Sequence, residues 1–165
     1  MTKTRRNLLL GAMGAGALGL AIRSRGASPA PGGGHYEVTH TDEEWRKLLS
    51  SDQYAVLRQE GTERAFSSPL NHEKRPGVFS CVGCALPLFS SQTKFDSGTG
   101  WPSFWAAMKG AVDEHRDSTL GMERVALNCH RCGGHLGHVF DDGPPPTHLR
   151  YCINGLALSF SPQAT

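Results

Sequence analysis

The sequence predicts a mainly β domain of short antiparallel strands, with two short helices packed at its start. Two observations lead there. From Gly77 onward the apolar residues fall in short or alternating runs between Gly, Pro, Asn and Asp clusters, the pattern of strands joined by turns. Twenty glycines and ten prolines in 165 residues supply the turn chemistry such a fold needs. With 38% hydrophobic and 19% charged residues the composition is globular, and the length suits one domain with a modest core.

The helices come first. In TDEEWRKLL, Thr41 is positioned to cap while Glu44 reaches back, and Trp45, Leu48 and Leu49 share one face. SDQYAVLRQEG predicts a second short helix, ended by Gly61. The strands follow as GVFSC, LPLFSS, RVALNC, LGHVF and the long run LRYCINGLALSF.

The N-terminus reads differently. Arg5-Arg6 precede an apolar run from Leu8 to Ile22. That run falls short of the roughly 20 apolar residues of a membrane span and has the size of a signal-peptide core. The arginine pair resembles a twin-arginine export signal, and Arg23 and Arg25 follow the core. Ser28-Pro29-Ala30 has the small-x-small form of a cleavage site, but Pro31 would hinder the cut, so a cleaved and a membrane-tethered form are both open. Residues 1–34 are expected to be export signal and linker, residues 35–165 the folded domain, and the destination periplasmic or otherwise extracytoplasmic. Lys3, Arg5, Arg6, Arg23 and Arg25 are the charges of residues 1–30, and without them the formal charge falls from +2 to −3. A mildly acidic domain lacks the electrostatic footprint of a nucleic-acid binder. No long amphipathic or heptad surface is evident, so a monomer is expected.

Four of the five cysteines form two C-x-x-C pairs, Cys81/Cys84 in CVGC and Cys129/Cys132 in CHRC. Each pair can aim two thiolates at one ion, with Gly83 and Gly133-Gly134 beside them for tight turns. The 44 residues between the pairs exceed a zinc-ribbon gap, so a sub-domain is inserted there. Four soft ligands favour one tetrahedral, structural Zn(II) per chain. Two disulfides or a redox-active pair are the alternatives, although a C-x-x-C disulfide closes a very short, strained loop.

Cys152 is left over. In an extended strand, Leu149, Tyr151 and Ile153 would enter the core while Arg150, Cys152 and Asn154 face the other way. A thiol beside a cation is poised to be a reactive thiolate; a small buried hydrophobe is the other common fate of a free cysteine. His135 and His138 follow the second knuckle directly, and Trp101-Pro102 follow a loop with Gly98 and Gly100 around Thr99. The histidines can equally be a second metal pair or surface residues, and Trp101 ordinary core.

Taken together, CVGC, SGTGWPSF, CHRCGGHLGHVFDDGPPPT and LRYCIN resemble, in order and spacing, the methionine-R-sulfoxide reductases of the B type, over roughly Thr41 to Phe160. The resemblance implies a small β-barrel-like pair of antiparallel sheets stapled by zinc. It implies reduction of methionine-R-sulfoxide, free or in proteins, to methionine. Cys152 would be the nucleophile, leaving a sulfenic acid, and His135 and His138 would polarise or protonate the sulfoxide oxygen. Asn154 would orient substrate or histidines, Trp101 would form the wall against the S-methyl group, Phe140 would complete the pocket and Arg150 would favour the thiolate.

The sequence departs from that pattern at Thr99, at His148 and in the GLAL that follows LRYCIN. Thr99 stands where many members carry a resolving cysteine, so the sulfenic acid is expected to be reduced by an external thiol, a thioredoxin-like protein or a small molecule. His148 stands where glycine or another small residue is more usual. A zinc-bearing binding module and a thiol–disulfide oxidoreductase using one C-x-x-C pair are the rival readings; neither gives Cys152 a role.

Overall fold

A computed structural model describes residues 36–118 and 121–164. The expected export signal, residues 1–34, lies outside the described residues. Among the described residues no helix is long and apolar enough to cross a membrane.

Helix α1 (Asp42–Leu48) begins as expected. The Thr41 hydroxyl accepts the Glu44 N–H, and the Glu44 carboxylate accepts the Thr41 N–H at 2.8 Å. Trp45 and Leu49 are buried, but Leu48 is 60% exposed; the chain leaves the helix at Leu49 in an extended conformation, and Leu48 stays on the solvent side. Helix α2 (Ser51–Gln59) carries a second reciprocal cap, between Ser50 and Gln53. It ends before Gly61, because Glu60 takes the left-handed conformation (φ 57°) that closes the last turn. Tyr54, Val56 and Leu57 form its buried face.

Nine strands among the described residues make two antiparallel sheets. One has the order β2 (Pro87–Ser90), β1 (Gly77–Cys81), β9 (Leu158–Pro162). The other has six strands in the order β3 (Lys94–Phe95), β4 (Ser103–Phe104), β8 (Arg150–Ile153), β7 (His135–Phe140), β6 (Arg124–Cys129), β5 (Val112–Asp117). Two expectations need correction. The run from Leu149 to Phe160 is not one strand: a 3-10 turn, Gly155–Ala157, separates β8 in the large sheet from β9 in the small one. Strand β5, VDEHRD, gave no apolar signal because it is a charged edge strand, where charge keeps the open edge from pairing with another chain.

The core lies between the sheets. Phe79 and Phe89 from the small sheet meet Phe104 from the large one, with ring centroids 5.0 and 4.4 Å apart, and all three are fully buried. Each such ring contributes about 1.5–3 kcal/mol through burial alone. Tyr151 and Ile153 enter this core from β8 and Leu149 packs at its edge, as alternation predicted.

The two C-x-x-C turns share one backbone pattern. The Ala85 N–H donates to Cys81 O and the Gly133 N–H to Cys129 O, both at 2.8 Å, and both residues are left-handed (φ 58° and 68°). The first turn therefore places alanine, not Gly83, at the left-handed position. Gly83 has a different reason: a Cβ there would press on Leu57 and Trp45, at 3.0 and 3.4 Å. Leu57 also packs on Gly134, so α2 rests on both turns.

Strands β6 and β7 pair with an irregularity: Leu127 opposes Gly137 and Asn128 opposes His135, leaving Leu136 as an extra residue in β7. Such a bulge re-aims side chains. His138 opposes Ala126, so the two histidines, three apart in sequence, lie two apart on the partner strand and face the same way. Gly137 makes this possible, since a Cβ there would lie 2.1 Å from the Cys152 carbonyl oxygen. Gly137→Ala is expected to force β7 from β8 and to cost about 2–3 kcal/mol, the range of a strained overpacked site; an unchanged urea midpoint would contradict this close approach.

Candidate active site

One face of the large sheet carries a row of opposed residues across five strands: Ser103, Cys152, His138, Ala126 and His115. The next row pairs Arg150 with Phe140 and Arg124 with Asp117. Ala126 keeps the space between the two histidines open.

Above this face is a cavity of about 120 Å³ lined by Thr62, Trp101, Arg124, Gly137, His138, Phe140, Cys152 and Asn154. Five sequence-expected residues thus meet at one place: Cys152, His138, Asn154, Trp101 and Phe140. Two do not line it. His135 is 3% exposed and borders a neighbouring cleft with His115, Asp117 and His138, its ring 5.4 Å from that of His138. Arg150 lies beneath, held by Asp142 through two bonds of 2.7 and 2.9 Å and stacked over Phe140 at 4.4 Å.

Burial raises the Cys152 thiol above its ordinary value of 9.0, opposed by the Thr99 hydroxyl and the Arg150 charge. His135 is pushed down to about 4, by burial first and by His138 second. Burial also lowers His138, but Asp117 opposes the shift through a 2.8 Å contact to Nε2. With Nε2 held by Asp117, Nδ1 is the ring nitrogen left for a ligand, the arrangement by which a carboxylate orients an acid–base histidine.

Trp101 and Asn154 are both fixed by Glu63, which sequence reasoning missed. The indole N–H donates to Glu63 O at 3.1 Å, and the Glu63 N–H donates to Asn154 Oδ1 at 3.0 Å. The buried Glu63 carboxylate accepts the N–H groups of Gly155 and Leu156 at 2.6 and 3.0 Å. Asn154 Nδ2 donates to Leu136 O at 3.0 Å, so its amide is committed to the scaffold. Arg124 and Asp117 were missed too. Arg124 stood in RVALNC as an apparent strand start, and Asp117 in the unrecognised β5; their ion pair of 2.6 Å needed the register to be seen. His148 adopts φ 60° in the turn before β8, with its N–H donating to Pro144 O. That left-handed backbone accounts for the small residue the resemblance led one to expect.

Cys81, Cys84, Cys129 and Cys132 lie with all four sulfurs within 4.8 Å of one another. Cys81–Cys132 and Cys84–Cys129 are 3.7 and 3.5 Å apart and unbonded. Tetrahedral zinc with bonds of about 2.3 Å separates its sulfurs by about 3.8 Å, so the cluster fits a metal. Arg58 and Arg131 donate to the carbonyls of Cys132 and Cys84 at 3.2 and 3.3 Å.

A family profile described as the SelR domain matches residues 49–162. The chain is 54% identical over 127 residues to the peptide methionine sulfoxide reductase MsrB of Agrobacterium fabrum (strain C58 / ATCC 33970), covering 76% of this chain and 94% of that protein. This chain belongs to the MsrB family of peptide methionine sulfoxide reductases. The MsrB of Leptospira interrogans serovar Lai is likewise 54% identical over 127 residues, covering 76% and 97% of the two chains. That of Thiobacillus denitrificans is 56% identical over 124 residues, covering 74% and 94%. For an MsrB-family site, the Glu63 anchor gives a specific expectation. Glu63→Ala leaves the Gly155 and Leu156 N–H groups without their acceptor and should cost about 3 kcal/mol, read as a lowered urea midpoint, while the Trp101 indole bond, made to the Glu63 backbone carbonyl, is retained. Glu63→Gln, which keeps one acceptor oxygen, should recover part of the loss.

Proposed function

We propose that this reductase acts on the R epimer of methionine sulfoxide, free or in proteins, with Cys152 as the nucleophile and His138 as the acid. The observation that carries the reading is the cavity in which Cys152, His138, Trp101 and Phe140 meet. At about 30 Å³ per water-sized group, it holds about four heavy atoms, the size of a CH2–S(O)–CH3 tip.

A sulfoxide sulfur is a poor electrophile until its oxygen gains a proton, so thiolate and acid must act together. The Cys152 thiolate attacks the sulfur while the proton on His138 passes to the oxygen, with Asp117 supporting the imidazolium. Trp101 and Phe140 enclose the methyl group; an apolar wall on one side and a proton donor on the other distinguish the two epimers. The protonated oxygen then moves from the methionine sulfur to the Cys152 sulfur, the S–O bond to methionine and the transient sulfur–sulfur bond break, and methionine leaves Cys152 as a sulfenic acid. An external thiol then attacks the Cys152 sulfur, water departs, and a second thiol releases Cys152 from the mixed disulfide. Thioredoxin-like proteins and small thiols both supply the two electrons. His135, buried and held neutral near physiological pH, packs beside His138 instead of donating to substrate, and Arg150 acts through its charge on Cys152.

The four clustered cysteines would hold structural zinc, with no vacant position for substrate. It supplies no chemistry to the reaction; it fixes the turn from which His135 and β7 start.

With dithiothreitol as reductant, the zinc-loaded wild type should reduce methionine-R-sulfoxide and not the S epimer, and Cys152→Ser should lose at least about a thousandfold, the scale of nucleophile removal. Retained turnover in the variant would sink the assignment. After a single turnover without reductant, a sulfenic-acid trap should label Cys152; a disulfide from Cys152 to another cysteine of the same chain would disprove external recycling. One zinc per chain is expected, and its removal should abolish cooperative unfolding, because structural zinc contributes folding free energy directly. A stripped protein with an unchanged melting temperature would contradict it.

A further inference from the structure

Three hydroxyls lead away from Cys152. Thr99 Oγ1 lies 3.9 Å from Cys152 Sγ, Ser97 Oγ lies 2.8 Å from Thr99 Oγ1, and Ser103 Oγ lies 2.7 Å from Ser97 Oγ. Ser103, fully buried, also donates to Trp101 O at 3.1 Å. The loop is held in shape: Asp96 Oδ1 accepts the Gly98 N–H at 2.9 Å and Ser97 Oγ accepts the Thr99 N–H at 3.4 Å.

A hydroxyl has one proton to donate, so the end of the chain sets its direction. If Ser103 donates to the carbonyl of Trp101, Ser97 must donate to Ser103 and Thr99 to Ser97. Thr99 can then only accept, and its neighbour must be the Cys152 S–H. If Cys152 loses its proton, the three hydroxyls must reverse: Thr99 donates to the thiolate, Ser97 to Thr99 and Ser103 to Ser97, and Trp101 O loses the Ser103 donor. The chain carries no net proton; it has two polarities, each matched to one state of the sulfur.

Resting on the assignment of Cys152 as nucleophile, we propose that Thr99 is a further catalytic residue. Its hydroxyl is the switchable end of a three-hydroxyl chain, which keeps Cys152 a thiol at rest and donates to the thiolate during attack. Ser103, acting through Ser97 and Thr99, is a positioning residue that biases the chain towards the thiol. The charged groups facing Cys152 are Arg150 with its partner Asp142 on the β8 side, and His138 with Asp117 and Arg124 on the other. All five stay in place when a hydroxyl is removed, so a difference between variants reads the chain.

The test is the pH dependence of Cys152 alkylation by iodoacetamide, followed on the Cys152 peptide by mass spectrometry in zinc-loaded, full-length protein. Thr99→Val removes the donor without changing shape. Its profile should move to higher pH, with alkylation at pH 7 slowed about three- to tenfold, and Thr99→Ser should return to within about twofold of wild type. Ser103→Ala removes the outward bias and should move the profile to lower pH. Opposite shifts are the signature, because a general loosening of the loop would move both variants the same way. An unchanged profile in Thr99→Val, or shifts of the same sign in the two variants, would overturn the proposal. Should Thr99→Val not fold, Thr99→Ser and Ser103→Ala still decide it: Ser103→Ala without an acid shift overturns it. Failure of the nucleophile assignment is seen separately, as turnover retained by Cys152→Ser.

Discussion

Four sulfurs within 4.8 Å of one another are the constraint on which the rest of the molecule depends. As thiolates they repel strongly; a shared cation would turn that repulsion into a crosslink. The crosslink would be well sited. Cys81 ends β1 in the small sheet and Cys129 ends β6 in the large one, so a single centre would tie both sheets together at one end of the core. Helix α2 closes over it through Leu57, and two arginines hydrogen-bond the carbonyls of the turns. With two short α-helices and several two- to five-residue strands among the described residues, little else fixes the relative placement of the sheets.

From that anchor the chain runs directly into β7, where the site begins. Cys152 and His138, the proposed nucleophile and acid, sit on interior strands of an antiparallel sheet, each flanked by hydrogen-bonded neighbours on both sides. Trp101 and Thr99 come from one loop, and Thr62 and Asn154 from segments beside the strands. Even there the freedom is small, since Glu63 holds the indole while Asp96 and Ser97 hold the turn. Rigid strands set the alignment of sulfur and imidazole, and the loop supplies the shaped apolar wall.

Much of this was legible in the sequence because the signals were local. Thr41 and Glu44 announced a helix start, C-x-x-C spacing announced four thiols gathered where one ion would fit, and alternation around Cys152 put Tyr151 and Ile153 in the core. What was hidden depended on register or on distant chain. Glu63 reaches Gly155 and Leu156 across more than ninety residues, and no local pattern marks a carboxylate that will be buried. Asp117 sits on a strand whose charges masked it. The bulge that brings His135 and His138 to the same face has no sequence signal beyond Gly137, whose requirement is set by the Cys152 carbonyl on the next strand. The left-handed Glu60, Ala85 and His148 show the reverse case, where the backbone conformation is imposed by turn hydrogen bonds on residues that do not favour it.

The bulge also fixes the length of β7. Its extra residue, Leu136, is fully buried, and its carbonyl accepts both the backbone N–H and the side-chain amide of Asn154. A deletion there would restore strict alternation, so that two residues three apart would again point to opposite faces. It would carry one histidine out of reach of the other and empty a core position in the same stroke. Packing and site geometry therefore hold this strand to one length together.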